Sequence, residues 1–366
     1  MACSASRGSS GSDLPSVATG IYHTSYESDL RLRHTRSEKA RLVACIAALV
    51  ALPFLLNNYW LGIINAIGIA AIGAIGLNIL VGFTGQISLG QGGFLAVGAF
   101  SSALLAGRAG LPVPLAVAGA VVVTAAAGAI AGLPALRLKG LYLAIATLAS
   151  QEIIEFVIRR WRWLTGGQGY LEAPPLAALG WKVQHASFER TWYWVIVVVA
   201  GIGAIAARNV FRTALGRSFM AVRDQDIAAS TIGVSVTRAK LSAFALSSGY
   251  VGLAGALTAH YTEIVTWERF TIGVSVQYLG MIIVGGLGSI AGSIYGAAFI
   301  MLVPPLLSAL ADAIRDTAPF LADQLPALQV AAVGLVIILF LLFEPRGLSR
   351  MWRRIRDYFG FWPFRY

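Results

Sequence analysis

A-V-R-D-Q-D-I-A-A-S-T-I-G, residues 221–233, reads as one short helix closed by a glycine, inside a basic polar segment, Arg208–Lys240, between two long apolar runs. Elsewhere the chain keeps its charges at the edges of apolar segments. A small helix of distinct sequence, projected from a membrane protein into the cytoplasm, has something there to touch. The stretch therefore reads as the docking element for a partner that supplies energy.

The surrounding composition sets the fold class. Apolar residues make up 57% of the 366 residues, charged residues 12%, and mean hydropathy is +0.73. An average soluble domain carries about 25% charged residues. Crossing the hydrocarbon core as a helix takes about 20 apolar residues. Ten runs meet or approach that length: Leu42–Tyr59, Leu61–Val81, Gln86–Ala106, Val113–Leu133, Leu141–Ile158, Trp192–Ala207, Leu241–His260, Thr271–Gly288, Ser289–Leu310 and Ala327–Phe343. The predicted fold is an all-α polytopic transmembrane bundle of about ten spans. A flexible arm (1–41) precedes the membrane domain (42–343), and a basic tail (344–366) follows it. The arm has no apolar core, so no cleavable leader is expected and the first span serves as an uncleaved anchor.

A net charge of +11 raises the question of nucleic acid, and its distribution points to the membrane instead. With ten spans and the N-terminus inside, inner segments hold 20 of the 28 Lys and Arg: six in the arm, Arg137 and Lys139, six in 208–240 and six in the tail. The positive-inside rule then places both termini and 208–240 in the cytoplasm, with 159–190 outside. Lipid is a partner; nucleic acid is not.

Two glycine-rich stretches exceed what helix packing needs: G-F-T-G-Q-I-S-L-G-Q-G-G (82–93) and V-G-G-L-G-S-I-A-G-S-I-Y-G (284–296). Both mix glycine with polar side chains at membrane depth, where non-helical backbone is tolerated only if buried in protein or lining a cavity. Broken spans often mark a transporter's solute site. Asn78, Gln86, Ser88 and Gln91 are candidates for a translocation path, with packing between helices as the competing role. The spacings Gly128–Gly132 and Gly292–Gly296 read as close-approach points.

Enzymatic machinery is missing. The four histidines, His23, His34, His185 and His260, are scattered, and Cys3 and Cys45 form neither a disulfide framework nor a metal site. Each lysine follows a residue other than glycine (Glu38–Lys39, Leu138–Lys139, Trp181–Lys182, Ala239–Lys240), which excludes a G-x-x-x-x-G-K-[ST] phosphate loop. No cofactor, metal or catalytic residue is expected, and ATP hydrolysis, if it drives the chain, belongs to another subunit. Glu152 and Glu155 are the ionisable groups within a span; Glu155 is placed to pair with Arg159, and Glu152 joins the path candidates near the outer mouth. An ion-coupled carrier, a passive channel for a solute such as urea, and a membrane enzyme are the alternatives.

These residues resemble the permease subunits of ATP-driven importers for branched-chain amino acids and related small polar solutes, in the second of that family's two permease types. The likeness is carried by G-L-N-I-L-V-G-F-T-G-Q-I-S-L-G-Q-G-G-F (76–94), R-L-K-G-L-Y-L-A-I-A-T-L-A (137–149), L-T-G-G-Q-G (164–169), residues 212–234, G-G-L-G-S-I-A-G-S-I-Y-G-A (285–297) and F-E-P-R-G-L (343–348). It implies an ABC importer permease fold in the bacterial inner membrane. It also implies a second homologous permease subunit, two cytoplasmic ATPases and a periplasmic solute-binding protein. The family's coupling loop is similar to E-A-A-x-x-x-G: Ala228, Ala229 and Gly233 fit, Ile227 stands at the Glu place, and Asp226 lies one residue earlier. The resemblance thus makes Arg223, Asp224, Asp226, Ala228, Ala229 and Gly233 the ATPase-coupling residues. Asp224 and Asp226 suit the first turn of the helix, and Gly233 suits its end.

Overall fold

Glycine, alanine and isoleucine fill the apolar run Leu61–Val81, and it folds within the 27-residue helix α2 (Asn58–Thr84) at the centre of the bundle. The computed structural model describes residues 36–161, 170–175, 177–178, 181–182, 188–314, 324–344 and 347–360. Most of the N-terminal arm, the L-T-G-G-Q-G stretch, Pro345 and Arg346 of the closing motif, and the end of the C-tail lie outside the described residues. So do His23, His34 and His185. The chain divides into two units, residues 1–55 with 352–366, and residues 56–351. In the first, α1 (Arg36–Leu55) carries Pro53 in its last turn.

The second unit holds the bundle. After α2 come α3 (Gln91–Gly107), α4 (Val113–Ala131), a 3-10 turn at Pro134–Leu136, and α5 (Leu141–Arg160). Next are α6 (Phe188–Arg212), α7 (Ala214–Asp224), α8 (Asp226–Thr231) and α9 (Val236–Thr262). Then α10 (Ile272–Gly285), α11 (Ile290–Ile314), α12 (Leu325–Phe343) and α13 (Leu348–Gly360) complete the order. The strands are short pieces of two or three residues: β1 (Tyr170–Glu172), β2 (Ala177–Ala178), β3 (Trp181–Lys182) and β4 (Ile264–Thr266). β1 pairs antiparallel with β4, Leu171 opposite Val265, and β2 with β3. The protein is all-α and multi-pass.

Each of the ten apolar runs is occupied by a helix, yet among the described residues six helices are long and apolar enough to cross a membrane, or seven if the bent pair 327–343 and 348–355 counts as one. Two of the four runs left over lie at the glycine-rich stretches; the others are α1, which opens with Arg36, Glu38, Lys39 and Arg41, and α12, which counts only within the bent pair. The run from Gln86 becomes non-helical backbone through Gly90 and a helix of 17 residues. The run from Thr271 becomes a helix of 14 residues, stopped at Gly286. Gly85 (φ 70) and Gly286 (φ 116) adopt backbone angles that a side chain disfavours and end α2 and α10, and Gly288 (φ 74) does the same in the turn that follows.

Helix α9 packs on α2, α3 and α4, and small residues set the spacing. A Cβ on Gly98 would strike the backbone of Gly252. Both G-x-x-x-G pairs are close-approach points: Gly128 and Gly132 meet Ser248 and Phe244 of α9, and Gly292 and Gly296 meet Gly285 and Met281 of α10. One apolar core joins α2, α3, α9 and α10 through Leu77, Phe100, Val251 and Met281. A second, at the end of the bundle carrying Thr84 and Val236, joins Ile79, Phe219, Ala229 and Phe244.

The opposite end is tied by polar contacts. His260, fully buried, bridges Ser102 Oγ (Nε2, 2.8 Å) and the Pro174 carbonyl (Nδ1, 2.9 Å). The Ala173 amide donates to the Glu263 carbonyl at 2.8 Å, so 170–174 is fastened to the end of α9. Tyr261 Oη and Asn65 Nδ2 both donate to Glu189 Oε2 at 2.8 Å.

Candidate functional site

The stretch 221–233 is not one helix. Gln225 is extended (φ −164, ψ 110) and serves both as the last cap of α7 and the first cap of α8. Two different attachments force the break. Phe219 and Val222 of α7 are held in the second core, while Asp226 must turn to reach two lysines. Asp224 consequently ends α7 instead of opening a helix, and Asp226 alone occupies a first turn, where the helix dipole favours a carboxylate.

The end of α8 is closed as its sequence predicts. Gly233 has φ 87, its amide donates to the Ser230 carbonyl at 3.1 Å, and the Val234 amide donates to the Ala229 carbonyl at 3.0 Å. These are the paired bonds of a Schellman motif, and Val234 packs in the same apolar cluster as Ala229. The two alanines part company. Ala229 is buried and Ala228 exposed, since adjacent helical residues point about 100° apart. Around Ala228 the surface is apolar: Ile227 is 69% exposed and Ile232 76%.

Asp226 is the anchor of the site. Its Oδ2 lies 2.5 Å from Lys139 Nζ and 3.8 Å from Lys240 Nζ. Lys139 is exposed, whereas the Lys240 side chain is 8% exposed and needs a counter-charge. The hydrogen bond from Lys139 holds the Asp226 carboxyl below its ordinary value of 3.8, with burial opposing and both lysine charges adding to the lowering. The R-L-K-G stretch is thereby joined to α8 and to the base of α9.

Arg223 reaches the two glycine breaks. A Cβ on Gly288 would lie 3.1 Å from Arg223 Nη1, and one on Gly85 3.3 Å from Arg223 Cγ. The breaks also meet each other. Asn78 Nδ2 donates to Ser289 O (2.9 Å) and Ser293 Oγ (2.7 Å), and its Oδ1 accepts from the Gly288 amide at 2.8 Å. Below them a polar cavity of about 300 Å³ is lined by Gln86, Lys139, Arg223, Asp226 and Lys240 among others. Gly347, in the closing motif, packs against Gly286; a Cβ there would lie 2.5 Å from the Gly286 nitrogen.

The path candidates divide by their partners. Asn78 is spent on the 286–293 backbone, as above. Gln91 Nε2 donates to the Gly73 carbonyl at 3.0 Å, and Ser88 Oγ accepts from the Gly90 amide at 3.3 Å. Gln86 is buried with neither amide atom hydrogen-bonded. Glu152 stands apart from these, exposed on α5 and without a hydrogen bond or ion pair among the described residues. Glu155 forms its pair with Arg159 at 3.5 Å.

Sequence reasoning missed three contributors. Lys139 and Lys240 were read only as membrane-edge charges, although a lysine at the buried base of a span signals a carboxylate nearby. Gln151, one residue before Glu152, is buried where the first glycine-rich stretch meets the start of α10. In one orientation its amide donates to Leu89 O (2.8 Å) and accepts from the Ile272 amide (2.9 Å), beside Ser275 Oγ, which accepts from the Gly92 amide at 2.7 Å.

Comparison with known proteins shows the family. Residues 59–341 match the family described as "Branched-chain amino acid transport system / permease component". The chain is 31% identical over 340 residues to the high-affinity branched-chain amino acid transport system permease protein LivM of Salmonella typhimurium, covering 87% of this chain and 76% of that protein. The LivM protein of Escherichia coli is 30% identical over the same shares. The inner membrane ABC transporter permease protein YjfF of Escherichia coli is 23% identical over 310 residues, 81% of this chain and 84% of that one. No solved structure matches. The matched span contains both glycine breaks, α7, α8 and the two lysines that hold Asp226, so the chain belongs to the family of permease components of branched-chain amino acid transport systems.

Proposed function

We propose that this chain is the translocation subunit of an ATP-driven importer of the inner membrane, carrying branched-chain amino acids or chemically related small polar solutes. It pairs with a second homologous permease subunit, two cytoplasmic ATPases and a periplasmic solute-binding protein. It performs no covalent chemistry on the solute. The observation that carries this reading is the α7–α8 unit: it exposes Ile227, Ala228 and Ile232 outward while Arg223 reaches both glycine breaks and Asp226 ties it to Lys139 and Lys240. A passive channel has no use for such a connection.

Coupling then works as a population shift, because a partner that binds one position of α8 better than another biases the breaks that Arg223 touches. Arg223, Asp224, Asp226, Ala228, Ala229 and Gly233 form the coupling unit in different capacities. Ala228 and its isoleucine neighbours meet the ATPase, Asp226 and Arg223 transmit, and Ala229 and Gly233 fix the shape of α8. Of the path candidates, Gln86 and Glu152 are the two whose polar groups have no partner among the described residues, and these we place in the path. Asn78, Ser88 and Gln91 hold the break open beside it.

The test is co-purification. An ATPase subunit should copurify with the wild-type chain and be lost with the double substitution Ile227→Asp, Ile232→Asp, while the paired permease subunit is retained. ATP-independent uptake by a chain that captures no ATPase would overturn the reading.

A further inference from the structure

We propose that Glu152 recognises the cationic amino group of an aliphatic solute, on a face of α5 that lines a water-filled path shared with the paired permease subunit. This rests on the importer reading above and names the solute chemistry that the path selects.

The depth of Glu152 comes from its helix. At 1.5 Å per residue it stands roughly 16 Å from Leu141 and 12 Å from Arg160. The inner end of α5 follows Arg137 and Lys139, and the outer end carries Arg159 and Arg160, so both edges of the span are marked by charge. Glu152 therefore lies inside the outer half of the span, about two turns from Arg160. A lone carboxylate there is costly against lipid and is a functional group by default.

What lies around it decides the direction. The inward face of α5 packs on the irregular backbone: the Leu89 amide donates to Thr147 Oγ1 at 2.9 Å, and Gln151 is buried beside Leu89 and Ile272. Two helices, α3 and α10, begin at this junction, so the backbone that leads into each of them, 85–90 and 264–271, meets beside Gln151, the residue before Glu152. Such backbone is expected only in protein or at a cavity wall. The opposite face of α5 is open in this chain. Ile145 is 56% exposed, Ile153 63% and Phe156 63%, with Glu152 exposed among them.

A carboxylate within an aliphatic and aromatic wall matches one solute chemistry: an ammonium group joined to a branched hydrocarbon. The other acid on the helix, Glu155, is paired with Arg159, and Arg159 in turn lies 4.3 Å over the Trp267 ring. Neither competes for Glu152. A neutral amide would leave the carboxylate uncompensated, and an anionic solute would be repelled.

The experiment uses the complete transporter, with its ATPases, paired permease and binding protein, in proteoliposomes. Glu152→Gln should lower ATP-driven leucine uptake roughly tenfold to hundredfold, the range for losing a hydrogen bond to a charged group. Assembly and binding-protein-stimulated ATP hydrolysis should persist, and Glu152→Asp should recover part of the uptake. Glu152→Cys in the assembled complex should react with a water-soluble anionic thiosulfonate. Wild-type leucine uptake by Glu152→Gln, equal slowing of leucine and of its deaminated analogue, or a thiol reached only by lipid-soluble maleimide would each overturn the proposal. Absence of ATP-driven uptake in the wild type would instead overturn the importer reading, and the thiol measurement would still report whether α5 faces water.

Discussion

Asp226 shows how much one carboxylate can organise, since among the described residues it is the acid that pairs with Lys240, whose side chain is 8% exposed. Asp226→Asn should therefore destabilise the site by about 1–3 kcal/mol, the cost of leaving a charged group poorly partnered, seen as a lower melting temperature and lower uptake. Lys139→Ala should do less, because that side chain is 63% exposed and an exposed pair contributes little. The pH dependence follows from the lowered carboxyl of Asp226. A depressed acid contributes its stability above its unfolded value and loses it as the pH falls through the folded value. Uptake between pH 5 and 8 should thus be independent of Asp226 titration, with loss only below about 4. Gln86 and Gln91 make a contrasting pair. Gln91→Leu removes the bond to Gly73 O and should lower the melting temperature by the equivalent of about 1 kcal/mol. Gln86→Leu removes an amide with no partner and should leave stability equal or higher while slowing transport. A drop in stability without a change in transport would make Gln86 a packing residue.

At the scale of elements, α8 is the part that was most and least legible at once. Its glycine stop was readable because a φ of 87 is nearly reserved for glycine, and Gly233 follows a polar helix at the right distance. Gly233→Val should remain in the membrane yet lose uptake, since a β-branched residue in that conformation costs about 1–3 kcal/mol and would unseat Val234 from Ala229. Full uptake by that variant would show that the shape of α8 is immaterial. The break at Gln225 was not readable, because glutamine carries no turn signal; the extended conformation is imposed by Lys139 and Lys240, which lie 87 residues upstream and 14 downstream of Asp226. The inward turn of Ala229 was hidden for the same reason, as the alanine pair is equally small on both faces. Glu155 and Arg159, by contrast, are four residues apart on one helix, and local spacing was enough. The glycine breaks were legible as irregular backbone, whereas their contact was not: Asn78 and Gly288 are separated by 210 residues.

For the molecule as a whole, the open quantity is the number of crossings, and the lengths of α3 and α10 state the problem. At 1.5 Å per residue they span about 25 and 21 Å, short of a hydrocarbon core of about 30 Å. Extended backbone rises about 3.3 Å per residue, so the stretches beside them can supply the difference if they are buried in protein. The contacts place them so. Helix α3 ends near the segment that follows Tyr170, with Gly107 facing Glu172 and Pro174, while its approach at Gly85 lies beside Arg223 at the other end. Helix α10 begins where Phe270 and Thr271 touch Gly92 and stops where Gly288 meets Arg223. Both therefore carry the chain from one end of the bundle towards the other, and we propose on that ground ten crossings with 84–90, 137–140, 214–240 and Gly347 on one side. By the weight of Lys and Arg, that side would be the cytoplasmic one. In cysteine labelling of intact cells, Ser218→Cys on α7 should resist an impermeant maleimide until the membrane is opened, and Glu172→Cys on β1 should react at once. If α3 were re-entrant, everything from α4 to α9 would be inverted. Ser218→Cys would then label from outside, and no ATPase in the cytoplasm could reach α8.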